Sequence, residues 1–147
     1  MLIHATCLSI GSSGVLLMGK PGSGKSDLAL RLIDAPGRGT GENILDAKLV
    51  SDDQVLLARE EHWLVAQAPD ALTGLIEIRG LGVVPVPTAM QVKVDLVVDL
   101  VLTSEVERMP DRKASSREFL GVPVPLISLD PLTASAPARL RAAVITL

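Results

Sequence analysis

Apolar residues fall in short runs separated by glycine, proline and polar clusters. Ile3 to Ile10 predicts a strand. Gly11-Ser12-Ser13-Gly14 predicts a turn and Val15 to Met18 a second strand, with a link short enough for a hairpin. From Ser26 to Ala35 the period changes: Leu28, Leu32 and Ile33 share one helical stripe, with Ala29 alongside. Pro36 to Gly41 stops that helix and predicts a flexible loop. Lys48 to Ala58 predicts a strand carrying Asp52 and Asp53 in its middle, His62 to Ala68 a short strand, and Pro69 to Leu72 a turn or one helical turn. Leu75 to Ile78 is strand-like. Val83 to Val86 continues the pattern, with Pro85 and Pro87 marking an edge or a loop. Val92 to Leu102 is the longest β-rich run, Val122 to Leu129 the last, and Pro137 to Leu147 a C-terminal helix. The polar segment from Ser104 to Glu118 predicts a solvated loop. The fold class is therefore α/β, with a mixed β-sheet and flanking helices, and nothing divides residues 1–147 into two cores.

Composition narrows the function classes. Hydrophobic residues make up 48% and charged residues 21%, a globular balance. Aromatics are only 1%, so Leu, Val, Ile and Ala must fill the interior and no base-stacking platform is available. The net charge of -3 gives no electrostatic footprint for nucleic acid. Cys7 is alone in an apolar run and reads as a buried small hydrophobe. The N-terminus lacks the form of a signal peptide. Val92 to Leu102, broken by Lys93, Asp95 and Asp99, is too short and too charged to span a bilayer. A cytoplasmic protein with no membrane or nucleic-acid partner is expected.

Between the second strand and the first helix stand Gly19, Lys20, Pro21, Gly22, Ser23, Gly24, Lys25 and Ser26, which match G-x-x-x-x-G-K-[ST] at every fixed position. The glycines let the backbone curl so that N–H groups converge on an anion, and the helix start adds its positive dipole end. Lys25 supplies a cation for the β- and γ-phosphates of a nucleotide, and the Ser26 hydroxyl is placed to hold Mg²⁺. The strand–loop–helix context separates this from a glycine-rich turn with a stray lysine.

A phosphate cradle does not name a reaction. Asp52 and Asp53 together suit acid/base work if both approach the cradle, and read equally well as a strand-end pair in solvent. In an uninterrupted strand their side chains point to opposite faces. In Glu77-Ile78-Arg79-Gly80-Leu81-Gly82, alternation puts Glu77 and Arg79 on one face. A carboxylate there suits Mg²⁺ and an arginine suits the charge spread over a transferring phosphoryl group, the other reading being an exposed ion pair. His4, at the start of the first strand, is by itself more often structural or simply exposed.

His4, the loop Gly19 to Ser26, Val50-Ser51-Asp52-Asp53 and the hexapeptide Glu77 to Gly82, in this order, resemble the catalytic domain of bacterial HPr kinase/phosphorylase. The resemblance runs from about Ile3 to Leu102 and continues weakly to the end. It implies a core similar to that of phosphoenolpyruvate carboxykinase and an ATP- and Mg²⁺-dependent kinase. The substrate it implies is a seryl hydroxyl of HPr, a small phosphocarrier protein of the sugar phosphotransferase system. It also implies phosphorolysis at the same site and assembly as a homo-oligomer, family members being typically hexameric. Carried over by position, Lys25 grips the phosphates and Ser26 and Glu77 hold Mg²⁺. The Asp52–Asp53 pair supplies the base, with His4 nearby to tune it, and which aspartate acts stays open.

The chain also departs from that pattern. It begins almost at His4 and stops where longer members add helices, the form of a short, catalytic-domain-only version. Asp27 stands where the family usually has Glu, and the Gly-rich stretch from Pro36 to Asn43 replaces a shorter link. Ser135 to Arg141 is only faintly similar to the family's R-P-G-R-N-L pattern. Phosphorolysis, hexamer assembly and the usual docking of HPr are accordingly less supported than nucleotide binding. Arg108, Arg112, Lys113 and Arg117 make the polar loop a candidate lid or docking loop for an acidic partner. A non-enzymatic nucleotide sensor and a small-molecule kinase are the rival readings.

Overall fold

The computed structural model describes all residues from Met1 to Leu147. β1 (Leu2–His4), β2 (Thr6–Ile10) and β3 (Ser13–Met18) lead into helix α1 (Lys25–Asp34). Then follow β4 (Ala47–Ser51), β5 (Gln54–Glu60), β6 (Trp63–Gln67), β7 (Leu75–Ile78), β8 (Gly82–Pro85) and β9 (Gln91–Leu100). β10 (Ser116–Phe119), β11 (Val122–Leu129) and helix α2 (Ala136–Ile145) complete the chain. Asp70–Leu72 forms a single 3₁₀ turn, as the sequence pattern suggests, and Thr103–Glu105 a second.

Nine strands make one curled mixed sheet, and β7 and β8 make a separate antiparallel hairpin. β9 is its axis. It pairs with β3 in parallel along one edge. Along the other edge it pairs first with β6, antiparallel, through residues 91–93, then with β11, parallel, through residues 97–100. β2 and β3 form the expected hairpin, with register Ile10↔Ser13.

Each face of the sheet buries its own core. On one, Leu8, Ile10, Val15, Leu17, Leu96 and Val98 meet Leu28 and Leu32 of α1 and Leu140 of α2. On the other, Cys7, Leu16, Val55, Leu64, Val97 and Phe119 close the inside of the curl. Cys7 is fully buried, and that burial pushes its thiol pKa up, so it behaves as a small hydrophobe. Asp95 is skipped in the β3–β9 register, where Gly14 pairs with Val94 and Val15 with Leu96. That bulge transfers the apolar row of β9 from the inside of the curl (Val92, Val94) to the helical face (Leu96, Val98). Gly14 is required there: a Cβ would sit 2.1 Å from the carbonyl oxygen of Lys93.

Two expected strands bend at a shared corner. Ile3 to Ile10 divides at Ala5 into β1 and β2, and Lys48 to Ala58 divides at Asp52–Asp53 into β4 and β5. β1 pairs with β5 and β2 with β4, so both antiparallel partners turn together from one half of the sheet to the other. The Ala5 N–H still reaches the Asp53 carbonyl across the corner, at 3.2 Å. Asp53 takes φ 67°, a left-handed conformation that aspartate tolerates better than most residues. The Asp52–Asp53 pair is thus at a strand end, not in mid-strand.

Two loops are more tied down than their composition suggests. The segment after α1 wraps around Arg141 of α2, which is 2% exposed and donates to the carbonyls of Leu45, Leu32 and Ala35. The polar segment begins as a loop but ends in β10, paired with β11. Within it Arg112 donates to Thr146 Oγ1 and the Ala143 carbonyl at the end of α2, and Arg117 pairs with Asp99 at 3.7 Å. Two of the four basic side chains expected of a docking loop are therefore engaged within the protein itself.

Candidate functional site

The parallel strands β3, β9 and β11 end on the same side of the sheet, the edge where open α/β sheets bind ligands. The loop after β3 runs from Gly19 to Gly24. Gly22 and Gly24 have φ 80° and 98°, and Gly24 is the N-cap of α1. Lys25 opens the helix and donates across the loop to the carbonyls of Gly19 (3.0 Å) and Lys20 (3.2 Å). The N–H groups of Gly22, Gly24, Lys25 and Ser26 have no backbone acceptor. The Ser23 hydroxyl is buried without a partner. A curled run of free donors at a helix start fits an oxyanion such as a nucleotide phosphate.

Asp52 joins this loop to the corner of the sheet. It is 6% exposed. Oδ1 accepts from the Ser26 hydroxyl at 2.7 Å and from the Thr6 hydroxyl at 3.0 Å, and Oδ2 accepts from the Glu77 N–H at 3.2 Å. Three elements, α1, β2 and β7, converge on one carboxylate. Asp53 lies beside it, exposed, with no side-chain hydrogen bond within the protein.

The remaining expected residues distribute as follows. His4 is exposed and lies opposite Gln54, next to Asp53 on the corner. Glu77 presents its backbone N–H to Asp52 and its side chain to solvent. Arg79 lies beyond the end of β7, in the turn closed by the Leu81 N–H to Ile78 carbonyl bond. Strand alternation therefore does not put it on the face of Glu77, and its side chain is exposed. Asp27 forms an i,i+4 ion pair with Arg31 at 3.0 Å, and Arg31 also donates to the Pro131 carbonyl, fixing α1 to the turn after β11. No group of three His, Cys, Asp or Glu residues forms a metal cage. An ion bound by one or two protein oxygens plus phosphate, the habit of Mg²⁺, needs none. The Ser26 hydroxyl, bonded to Asp52, and the exposed carboxylates of Asp53 and Glu77, whose backbones adjoin Asp52, are oxygens of that kind.

Two contributors escape a sequence reading. Thr6 occupies a strand position where threonine is ordinary, and only the fold reveals its partner. Asp130, after β11, accepts from the Thr103 hydroxyl and from the Leu132 N–H at 2.9 Å, which ties the ends of β9 and β11 together. The Thr103 bond first, then the Leu132 bond, holds its carboxyl below the usual range.

A strand, a glycine-bearing loop and a helix opening on Lys25 and Ser26, with a buried aspartate on that serine, belong to a mixed α/β domain with a large curled sheet and two helices. The chain belongs to the HPr serine kinase C-terminal domain family, whose model matches residues 1–145. An HPr kinase/phosphorylase of Chlorobium limicola is 38% identical over 139 residues, covering 86% of this chain and 38% of the relative. One of Lactiplantibacillus plantarum is 33% identical over 138 residues, covering 86% and 40%. The chain thus spans about two fifths of the length of these two curated relatives. The solved structure of the HPr(Ser) kinase/phosphatase from Coxiella burnetii superposes with a TM-score of 0.81 at 29% identity, covering 99% of this chain and 95% of that one. No helix is long and apolar enough to cross a membrane.

Proposed function

We propose that this domain transfers the γ-phosphoryl group of ATP to a seryl hydroxyl of an HPr-like phosphocarrier protein. Family membership supports the reaction class. The observation that carries the site is the 2.7 Å hydrogen bond from Ser26 to Asp52, with exposed Asp53 beside it.

The loop from Gly19 to Ser26 receives the triphosphate on its N–H groups, and Lys25 turns from the carbonyls it now bridges to the phosphate oxygens. Ser26 and Glu77 hold Mg²⁺, which when bound neutralises charge on the β- and γ-phosphates. Asp52, held by three donors, is the positioning group. Asp53 is the base: it takes the seryl proton as the new oxygen–phosphorus bond forms and the bond to the ADP oxygen breaks. Its left-handed backbone at a corner is the kind of local strain found at active sites. His4, beside it on the corner, is the group placed to tune it, and Arg79, in the turn between β7 and β8, offsets charge on the transferring group. In phosphorolysis, an oxygen of inorganic phosphate attacks the phosphoserine phosphorus, the bond from phosphorus to the seryl oxygen breaks, Asp53 returns its proton to that oxygen, and pyrophosphate is the product. A core similar to that of phosphoenolpyruvate carboxykinase and a homo-oligomeric assembly belong to the same reading.

The test is incubation of the protein with γ-labelled ATP, Mg²⁺ and purified HPr. Label on an HPr serine supports the proposal. ATP binding without transfer means a nucleotide sensor, and label on a small metabolite but never on HPr means a small-molecule kinase.

A further inference from the structure

Thr6 stands in the row Thr6, Leu8, Ile10 of β2, whose other two members belong to the core beneath α1 and α2. It is fully buried. A buried hydroxyl in an apolar row is costly unless it is paired, and its acceptor is Asp52 Oδ1 at 3.0 Å. That same oxygen accepts from Ser26 at 2.7 Å.

A serine hydroxyl has one proton and two lone pairs. Because Ser26 spends its proton on Asp52, its lone pairs are left for a cation. Asp52 can receive that proton in one fixed direction only if its own carboxylate does not rotate. Two donors hold the carboxylate against rotation: the Glu77 N–H on Oδ2 and the Thr6 hydroxyl on Oδ1. The Glu77 bond, at 3.2 Å, is the longer of the two.

We propose that Thr6 is a positioning residue for the metal–nucleotide complex: its hydroxyl fixes Asp52, and Asp52 directs the proton of Ser26 away from the cation site. The inference rests on the reading of Ser26 as a Mg²⁺ ligand. A partner bonded directly to a metal ligand, the place Asp52 has on Ser26, typically contributes about ten- to a hundredfold to metal affinity, and Thr6 acts through that partner, one hydrogen bond further out.

The experiment is calorimetric titration with ATP, once in excess Mg²⁺ and once in EDTA, on wild type, Thr6→Val, Thr6→Ser and Ser26→Ala, each checked by thermal melting. In Thr6→Val, affinity for Mg²⁺·ATP should fall severalfold, up to about tenfold, while affinity for metal-free ATP stays at the wild-type value. Thr6→Ser, which keeps the hydroxyl, should restore Mg²⁺·ATP binding. If Thr6→Val does not fold, Thr6→Ala takes its place. Unchanged Mg²⁺·ATP affinity in a folded Thr6→Val protein overturns the inference, as does a Thr6→Ser protein no better than Thr6→Val. If Mg²⁺ dependence is present in wild type and lost in Ser26→Ala but kept in Thr6→Val, the role of Thr6 alone falls. If wild type shows no Mg²⁺ dependence at all, the metal-site reading falls and takes the inference with it.

Discussion

The hydroxyl of Ser26 donates to Oδ1 of Asp52 at 2.7 Å, a contact between residues 26 positions apart. It fastens the first turn of α1 to the corner between β4 and β5. Phosphate cradle and candidate base are thereby held at a fixed separation by a strand and a helix, the arrangement that best preserves a reacting geometry.

Asp52 and Asp53 should separate by phenotype. Asp53→Asn should lower the rate of transfer to HPr about 10²- to 10⁴-fold, with ATP affinity unchanged. Asp52→Asn sets an amide NH₂ against hydroxyl and N–H donors and should weaken Mg²⁺·ATP binding as well as rate. Single-turnover transfer and calorimetry on the two variants check this. Wild-type transfer by Asp53→Asn would remove the assigned base.

Arg141 should be a stability residue. Arg141→Met removes the donors of three carbonyls, at Leu32, Ala35 and Leu45, and should cost about 3 kcal/mol. Exposed Arg139→Met should stay within about 0.5 kcal/mol of wild type. Urea unfolding should show a lower midpoint at constant slope for Arg141→Met. Equal midpoints for the two variants would contradict the anchoring role.

Asp130 should make part of the stability depend on pH. Its pKa is lower folded than unfolded, chiefly through the Thr103 hydroxyl. Its contribution is therefore complete above the unfolded value of about 4 and lost as pH falls through the folded one. The difference in Tm between wild type and Asp130→Asn should be constant from about pH 7 to pH 5 and shrink in more acid solution. A gap that persists unchanged at low pH would exclude this carboxylate as the source.

Gly14→Ala should be poorly tolerated. The new Cβ would lie 2.1 Å from the Lys93 carbonyl oxygen at the β9 bulge, a backbone atom that cannot swing aside as a flexible side chain could. A loss of about 3 kcal/mol or more is expected, read as a fall in Tm or in soluble yield. Wild-type melting would mean that the bulge can open.

The sequence made most elements legible because their signals are local. β7 and β11 have the bounds that alternation suggests, and α1 follows the leucine stripe and the glycine loop. The corner was not legible. Ile3 to Ile10 and Lys48 to Ala58 each read as one continuous run, because a bend that two strands share is set by their pairing and leaves little trace in either alone. The order of residues brought Asp52, Asp53, Glu77 and the phosphate loop into one argument, but not the difference in exposure between the aspartates. Thr6 was hidden because its residue type fits a strand, and Arg141 because its acceptors are backbone carbonyls distant in sequence.

Since β9 bonds to β6 and β11 on one side and β3 on the other, neither half of the sheet can peel away while that strand remains in place. Its central amides, residues 94–99, should therefore be the last to take up deuterium, at a rate set by unfolding of the whole molecule, whereas those of the β7–β8 hairpin exchange through local opening.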